Sequence, residues 1–383
     1  MEGSLRLGLI VAAGLVAAGA APAAPQSFPS SAGALSVDTV AGGLVHPWSL
    51  AFLPDGRMLV TERPGRMRIV SRGGQLSPPL AGVPAVYAHG QAGLMDVILD
   101  RDFQNNHRIF FCYAEPVSGG ASIAVAQARF DDGRDGRGQP RLVGAGVIFR
   151  QKGPPSRGLN IGCRMVQAGD GNLFVTLGDN FLAENAQKLD NHLGKIVRIT
   201  PDGKAPPDNP FVDKPGALPE IWAYGLRNAE GLAFNPADGK LWEQEHGPMG
   251  GDEINIMEKG KNYGWPVVSF GLNYDGTPVG TGKQHAPGMA DPLWHWTPSI
   301  APSGMAFYTG DLFPHWKGSL INGALKFELV SRLELSGDKA VKEERILHGL
   351  HERIRDVRQG PDGAIYLLTD NADGRILRVT PAK

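Results

Sequence analysis

SLAFLPDGRMLVTERPGRMRIV, residues 49–70, and RDVRQGPDGAIYLLTDNADGRILRVT, residues 355–380, are two copies of one plan. Each runs an apolar strand into a Pro-Asp-Gly turn, then a second apolar strand closing on Thr plus an acid, then a glycine turn and an R-x-x-R or R-x-R strand. Alternating apolar residues bounded by turn residues are the pattern of short paired strands. Weaker copies follow the same order at CRMVQAGDGNLFVTLGDN with GKIVRIT, and at GLAFNPADGKLWEQEHG with DEINIM. Two more degenerate units read at DVILDRDFQNNHRIFFCYAE with IAVAQARF, and at GMAFYTGDLFPHWKGSLINGAL with LVSRLEL. Six units at a spacing of roughly 60 residues, each holding several short strands, predict an all-β six-bladed β-propeller over residues 37–383.

Composition is consistent with that reading. The chain of 383 residues is 42% hydrophobic and 20% charged, enough to bury a large core, and its 52 glycines and 30 prolines exceed average usage, as a turn-rich fold requires. A formal net charge of -1 argues against a nucleic-acid or anionic-membrane partner and favours a small, neutral one. At the N-terminus, Arg6 precedes the apolar run Leu7 to Ala20, and Ala21-Pro22-Ala23 offers a small-residue cleavage site. Residues 1–23 are therefore expected to be an export signal and 24–36 an Ala/Pro/Ser-rich linker, giving a secreted or periplasmic protein without stable membrane insertion. The weak basic region, with Glu2 beside a lone Arg, leaves an uncleaved anchor as the other reading. Cys112 and Cys163 could pair in an oxidising compartment, but two cysteines make neither a disulfide framework nor a zinc site.

The segment Glu220 to Pro266 packs turns, carboxylates and aromatics into one blade length. Its HGPMGG run, His246 to Gly251, cannot be regular helix or central strand, because Pro248 lacks an N–H and the glycines favour unusual backbone angles. Such a loop turns bare carbonyls outward, and hard cations take carbonyl and carboxylate oxygens. Read alone, the Gly247 and Pro248 carbonyls with Asp252 and Glu253 are either a metal lip or a Gly-Pro turn with solvated acids.

HGPMGGDEIN and GKNYGWP, together with GQAGLMDV (Gly90 to Val97), YGLRNAEG (Tyr224 to Gly231), SGMAFY (Ser303 to Tyr308), GALK (Gly323 to Lys326) and RIRDVRQGPDG (Arg353 to Gly363), resemble the soluble PQQ-dependent aldose sugar dehydrogenases of the glucose/sorbosone dehydrogenase family. The resemblance runs from about Val37 to the C-terminus. It implies a propeller holding pyrroloquinoline quinone (PQQ) over calcium, a small sugar or aldehyde as substrate, and an external electron acceptor. Cofactor contacts are then expected from Gln91, Arg227, Asn228, Tyr274, Lys326, Arg353 and Arg355, with Gln91 and Asn228 orienting substrate and quinone. Arginine forks grip the carboxylates of such a tricarboxylated quinone. Arg353 and Arg355, two apart, are expected on one strand face, and Tyr274 and Trp265 offer flat surfaces for a planar ring. The resemblance places one calcium on the Gly247 and Pro248 carbonyls and a second on Glu253 and Tyr263.

One departure bears on catalysis. Where the family's GNHFGGR-type block carries the histidine that takes the sugar hydroxyl proton, this chain reads GLNIGCR, Gly158 to Arg164, with Asn160 at the histidine's position. A carboxamide orients a hydroxyl but does not accept its proton near neutral pH. Asp179 in TLGDN and His192 in DNHLGK are nearby candidates for a substitute base, provided that they reach the same pocket. Three functions follow in order: a PQQ- and calcium-dependent sugar dehydrogenase, a propeller that binds PQQ or sugar with impaired turnover, and a calcium-dependent lactonase-like hydrolase. The RIR and GALK blocks argue against the hydrolase, which needs no carboxylate clamp.

Overall fold

The computed structural model describes residues 25–133 and 138–382, so the expected export signal, residues 1–23, lies outside the described residues. Within them the chain forms six antiparallel sheets. The Pro-Asp-Gly repeats fold alike: Leu53 N–H bonds Arg57 O while Gly56, at φ 81°, bonds back to Leu53 O, and Gly360, Gly363 (φ 77°) and Ala364 repeat the arrangement. Only a residue without a Cβ enters that left-handed turn position freely. The strands that follow, Met58–Glu62 (MLVTE) and Leu173–Leu177 (LFVTL), are buried along their whole length. A strand sandwiched between two neighbours has no wet face, which is why these open on apolar runs rather than alternating, their threonines and Glu62 buried with them.

The first full strand of each sheet lies innermost: Pro47–Phe52, Leu94–Leu99, Gly162–Gln167, Ala229–Phe234, Pro302–Phe307 and Ile354–Gln359. Each touches the next, and the last touches the first, so the six sheets close into a ring around a central channel. This is a six-bladed β-propeller. Every innermost strand also carries a register irregularity near its start, at Pro47/Ser49, Leu94/Val97, Gly162/Met165, Ala229/Gly231, Pro302/Met305 and Ile354/Asp356. A bulge re-aims side chains where a strand enters its sheet, and here it does so six times around one end of the channel.

The expected linker is not irregular throughout. Gln26–Phe28 pairs with Leu35–Leu44, which pairs in turn with the C-terminal strand Gly374–Pro381, Val37 facing Val379. Both ends of the described chain thus share the sixth sheet. The physical reason is burial: Phe28, Leu35 and Val37 pack into one cluster with Leu377 and Val379, and each fully buried apolar side chain contributes about 1.5–3 kcal/mol. Cys112 and Cys163 are joined in a disulfide that ties the second blade to the third. No helix among the described residues is long and apolar enough to cross a membrane.

Candidate active site

At the bulged end of the ring lies a cavity of about 460 Å³, lined by residues from every blade: Arg63, Gln91, Leu159, Asn160, Phe181, Arg227, Glu230, His246, Gly247, Pro248, Tyr274, Ser299, Ala301, Leu325, Lys326, Arg353, Arg355 and Asp370. Five of these side chains are cationic and two, Glu230 and Asp370, are carboxylates, leaving a surplus of three positive charges with histidine neutral. Sequence reading placed Gln91, Asn160, Arg227, Gly247, Pro248, Tyr274, Lys326, Arg353 and Arg355 at one site, and the structure gathers all nine around this cavity. Asn228, Asp179, Glu253 and Tyr263 are absent from its lining.

The cations differ in what they are bound to. Arg355 is buried, ion-paired through Nη1 to Glu230 and, at 3.5 Å, through Nη2 to Asp370. Burial alone would push both carboxyls up, but Arg355 and His246 hold Glu230 below its ordinary value, and Arg355, His46, Arg63 and Arg353 together outweigh burial to hold Asp370 far down. Arg227 donates from Nη1 to His246 O at 3.1 Å and Gly247 O at 3.0 Å, and from Nη2 to Tyr274 Oη at 3.2 Å, while its guanidinium lies against the Phe181, Trp265 and Tyr274 rings. Arg353 is exposed, donates to Leu325 O and stands 3.6 Å from Asp370. Lys326 is exposed at the rim. Arg353 and Arg355 therefore do not present equally on one strand face as expected. Arg353 precedes the strand, and the Ile354/Asp356 irregularity breaks the two-residue alternation.

Asn160 sits at φ 47°, a left-handed conformation that asparagine tolerates better than most residues. Its N–H donates to Gln91 Oε1 at 2.7 Å and its Nδ2 donates to Asp179 Oδ1 at 2.9 Å. Asp179 Oδ1 also accepts the Phe181 N–H at 2.8 Å, and Oδ2 accepts Trp265 Nε1–H at 2.8 Å. Burial pushes the Asp179 carboxyl up, against the pull of these donors and of Arg227. Asp179 thus stands behind Asn160, both oxygens occupied, and fixes the amide so that Oδ1 is left for the cavity. Its bonds give it a positioning place behind Asn160, and it does not line the cavity, where the expected substitute base would have to reach. Trp265, held by the same carboxylate, packs on Arg227 and does not line the cavity as a platform. His192 is fully buried in another setting, accepting the Lys152 N–H at 3.0 Å and meeting Glu220 at 3.4 Å.

The His246–Gly251 loop is braced from beneath. Asp252 accepts the N–H groups of Gly247 (2.9 Å), Ile300 (2.8 Å) and Ala301 (3.0 Å), so this acid supports the loop instead of completing a metal lip. Among the described residues no protein donor reaches the Pro248 carbonyl. Asn228 also works behind the wall, accepting the Gly162 N–H at 2.9 Å and donating to Glu230 at 3.1 Å, which removes it from direct contact with anything in the cavity. Beneath the loop, a second cavity of about 10 Å³, room for one water-sized occupant, is bordered by Glu245, Gly247, Glu253, Tyr263 and Trp265 among others. Glu245 faces Glu253 across adjacent strands. Burial, opposed by the Arg227 and Asn228 N–H groups, pushes Glu245 up to about 7, and burial together with Glu245 raises Glu253 well above its ordinary range. No group of three or more His, Cys, Asp or Glu side chains among the described residues is arranged to hold a metal, so an ion here would depend on backbone carbonyls.

Sequence reasoning missed Arg63, Glu230, His246 and Asp370 as cavity residues. A signal was present for two of them: Thr61-Glu62-Arg63 and Thr369-Asp370 close the second strand of matching repeats, and those strand ends converge on the channel mouth.

The sequence profile described as glucose / sorbosone dehydrogenase matches residues 44–378. Aldose sugar dehydrogenase YliI of Escherichia coli (strain K12) is 46% identical over 350 residues, 91% of this chain and 93% of that protein. The apo-form crystal structure of the soluble aldose sugar dehydrogenase from Escherichia coli superposes with a TM-score of 0.87 at 45% identity, covering 91% of this chain and all of that one. The PQQ-bound form of aldose sugar dehydrogenase from Streptomyces coelicolor gives a TM-score of 0.75 at 28% identity, covering 90% of this chain and 98% of that one. With a family match spanning nearly the whole propeller, the chain belongs to the glucose/sorbosone dehydrogenase family and is an oxidoreductase.

Proposed function

We propose that this protein is a PQQ- and calcium-dependent dehydrogenase that oxidises an aldose or a related aldehyde or alcohol and passes the electrons to an external acceptor. The observation that carries the reading is the cavity's surplus of three positive charges at the channel mouth, which complements a tricarboxylate, in a volume of the size that takes small ligands. Lys326, Arg353 and Arg355 would face the carboxylates, with Arg355 reinforced by Glu230 and Asp370. Tyr274, tied to Arg227, would flank the ring. The Gly247 and Pro248 carbonyls would hold the catalytic calcium, and Glu253 with the Tyr263 carbonyl a second ion in the one-water cavity. When bound, the quinone supplies a hydride acceptor and calcium a Lewis acid.

The chain's own residues set what the substrate must do. Asn160 Oδ1, held by Asp179, accepts a hydrogen bond from a substrate hydroxyl, and Gln91, which holds the Asn160 backbone, adds a second amide to the same wall. Neither takes the proton, which therefore leaves to water as the hydride passes to the quinone. Turnover therefore favours a substrate whose hydroxyl is already acidic, such as a hydrated aldehyde, over an ordinary aldose. Reconstitution with PQQ and calcium, followed by dye reduction across sugars, sugar aldehydes and simple alcohols, tests this. Reduction that is fastest with aldehydes supports the reading, and a PQQ-loaded protein inert on every substrate would replace it with a binding propeller. Export completes the proposal: the strand Gln26–Phe28 belongs to the sixth sheet, so a signal peptidase would cut before Gln26, as the intact mass of periplasmic material would show.

A further inference from the structure

Arg63 stands in the cavity wall beside Arg353, Arg355 and Asp370. Nearly every other buried or half-buried arginine is engaged: Arg355 by two carboxylates, Arg227 by two carbonyls and a phenol, Arg164 and Arg358 by Asp96 and Asp356. The Arg63 backbone is fixed, its N–H on His46 O and its carbonyl accepting Leu94 N–H at 3.0 Å. Its half-buried guanidinium, in contrast, enters no hydrogen bond or ion pair among the described residues. Burial lowers its proton affinity, Asp370 pulls it back, and Arg355 and Arg353 lower it further. A fork of five donors in a cavity wall beside like charges is an unfavourable arrangement unless an anion completes it.

We propose that Arg63 is an anion-gripping residue of this cavity and that its ligand is a carboxylate of the cofactor, an assignment that rests on the PQQ reading above. Arg355 shares its charge with Glu230 and Asp370 and so faces a carboxylate mainly as electrostatic support, while Arg63, Arg353 and Lys326 are the cations with most capacity left for an incoming carboxylate.

The test is an equilibrium titration of the full mature chain with PQQ in excess calcium, followed by quinone absorbance. Arg63→Gln should weaken binding by about 10- to 100-fold, the range of one charge-assisted hydrogen-bonded pair. Arg63→Lys should fall between the two, because a point charge cannot match the fork. The trimethyl ester of PQQ, which has no carboxylate charge, should bind wild type and Arg63→Gln alike. Thermal melting of the apo Arg63→Gln variant should be no lower than wild type, since the guanidinium makes no hydrogen bond or ion pair and stands among like charges. Equal PQQ affinity in wild type and both variants would overturn the proposal and leave the PQQ reading standing, whereas a wild type that binds no PQQ would remove both. Unchanged PQQ affinity with a raised KM for a uronic acid, but not for glucose, would assign Arg63 to the substrate's carboxylate and overturn it as well.

Discussion

Replacing Arg355 by methionine leaves the buried Glu230 carboxylate and the partly buried Asp370 carboxylate without the cation between them. The methionine fills most of the alkyl volume, so the effect is electrostatic. Breaking a buried pair by removing one partner costs about 3–5 kcal/mol, because the remaining charge stays desolvated. Asp370 keeps His46 Nδ1 at 2.8 Å and Arg353 at 3.6 Å, so the loss falls mainly on Glu230, whose remaining partners are Asn228 and His246. For a chain of this length that corresponds to a fall in Tm on the order of 5–10 °C, since the shift per kcal/mol shrinks as chains lengthen. The double variant Glu230→Gln/Arg355→Met should recover much of the loss, a neutral amide being far cheaper to bury than a carboxylate. Melting the calcium-free apoprotein at neutral pH measures all three, with Arg63→Gln as the comparison that should not fall. If Arg355→Met melts within a degree of wild type, Arg355 is not the electrostatic support described here, and the division of labour among the cavity's cations is wrong.

Asn160→His should raise kcat/KM for glucose, by up to the 10²- to 10⁴-fold that a positioned base contributes, because histidine also tolerates the left-handed backbone at φ 47°; no gain would mean that proton removal is not what limits the native enzyme. Gly247→Val should abolish high-affinity calcium binding, since any Cβ there overlaps the Gly250 and Gly251 carbonyl oxygens, whereas His246→Ala should leave calcium affinity nearly intact; the reverse order would make His246 a ligand and point to a transition metal. Between pH 4.5 and about 7 the folded state keeps a proton on Glu245 that the unfolded chain has released, so metal-free stability should decline as pH rises through that window, and saturating calcium should flatten the decline. A metal-free stability that climbs steadily over the same range would contradict that assignment of Glu245.

The blades were legible because their determinants are local. A Pro-Asp-Gly turn and two apolar runs specify a hairpin within about twenty residues, and repetition does the rest. Closure by Leu35–Leu44 was not, because pairing with Gly374–Pro381 joins opposite chain ends and leaves no local mark beyond Phe28, Leu35 and Val37. Within the site, residues in recognisable blocks such as Gln91, Arg227 and Lys326 could be placed at the cavity by resemblance, but what each is bonded to could not. Asp179 looks like a free acid in TLGDN and proves to hold Asn160, Phe181 and Trp265. Arg63 in TERPG looks like any surface arginine, and only the ring of blades brings it beside Arg353 and Asp370.

The central claim is that this cavity binds a tricarboxylated quinone with the help of calcium. Its most direct test is titration of the metal-free mature protein with PQQ, read by quinone absorbance, with and without excess calcium. One PQQ per chain, bound tightly only when calcium is present and released by chelation, is the result predicted. No saturable binding in excess calcium would contradict the account.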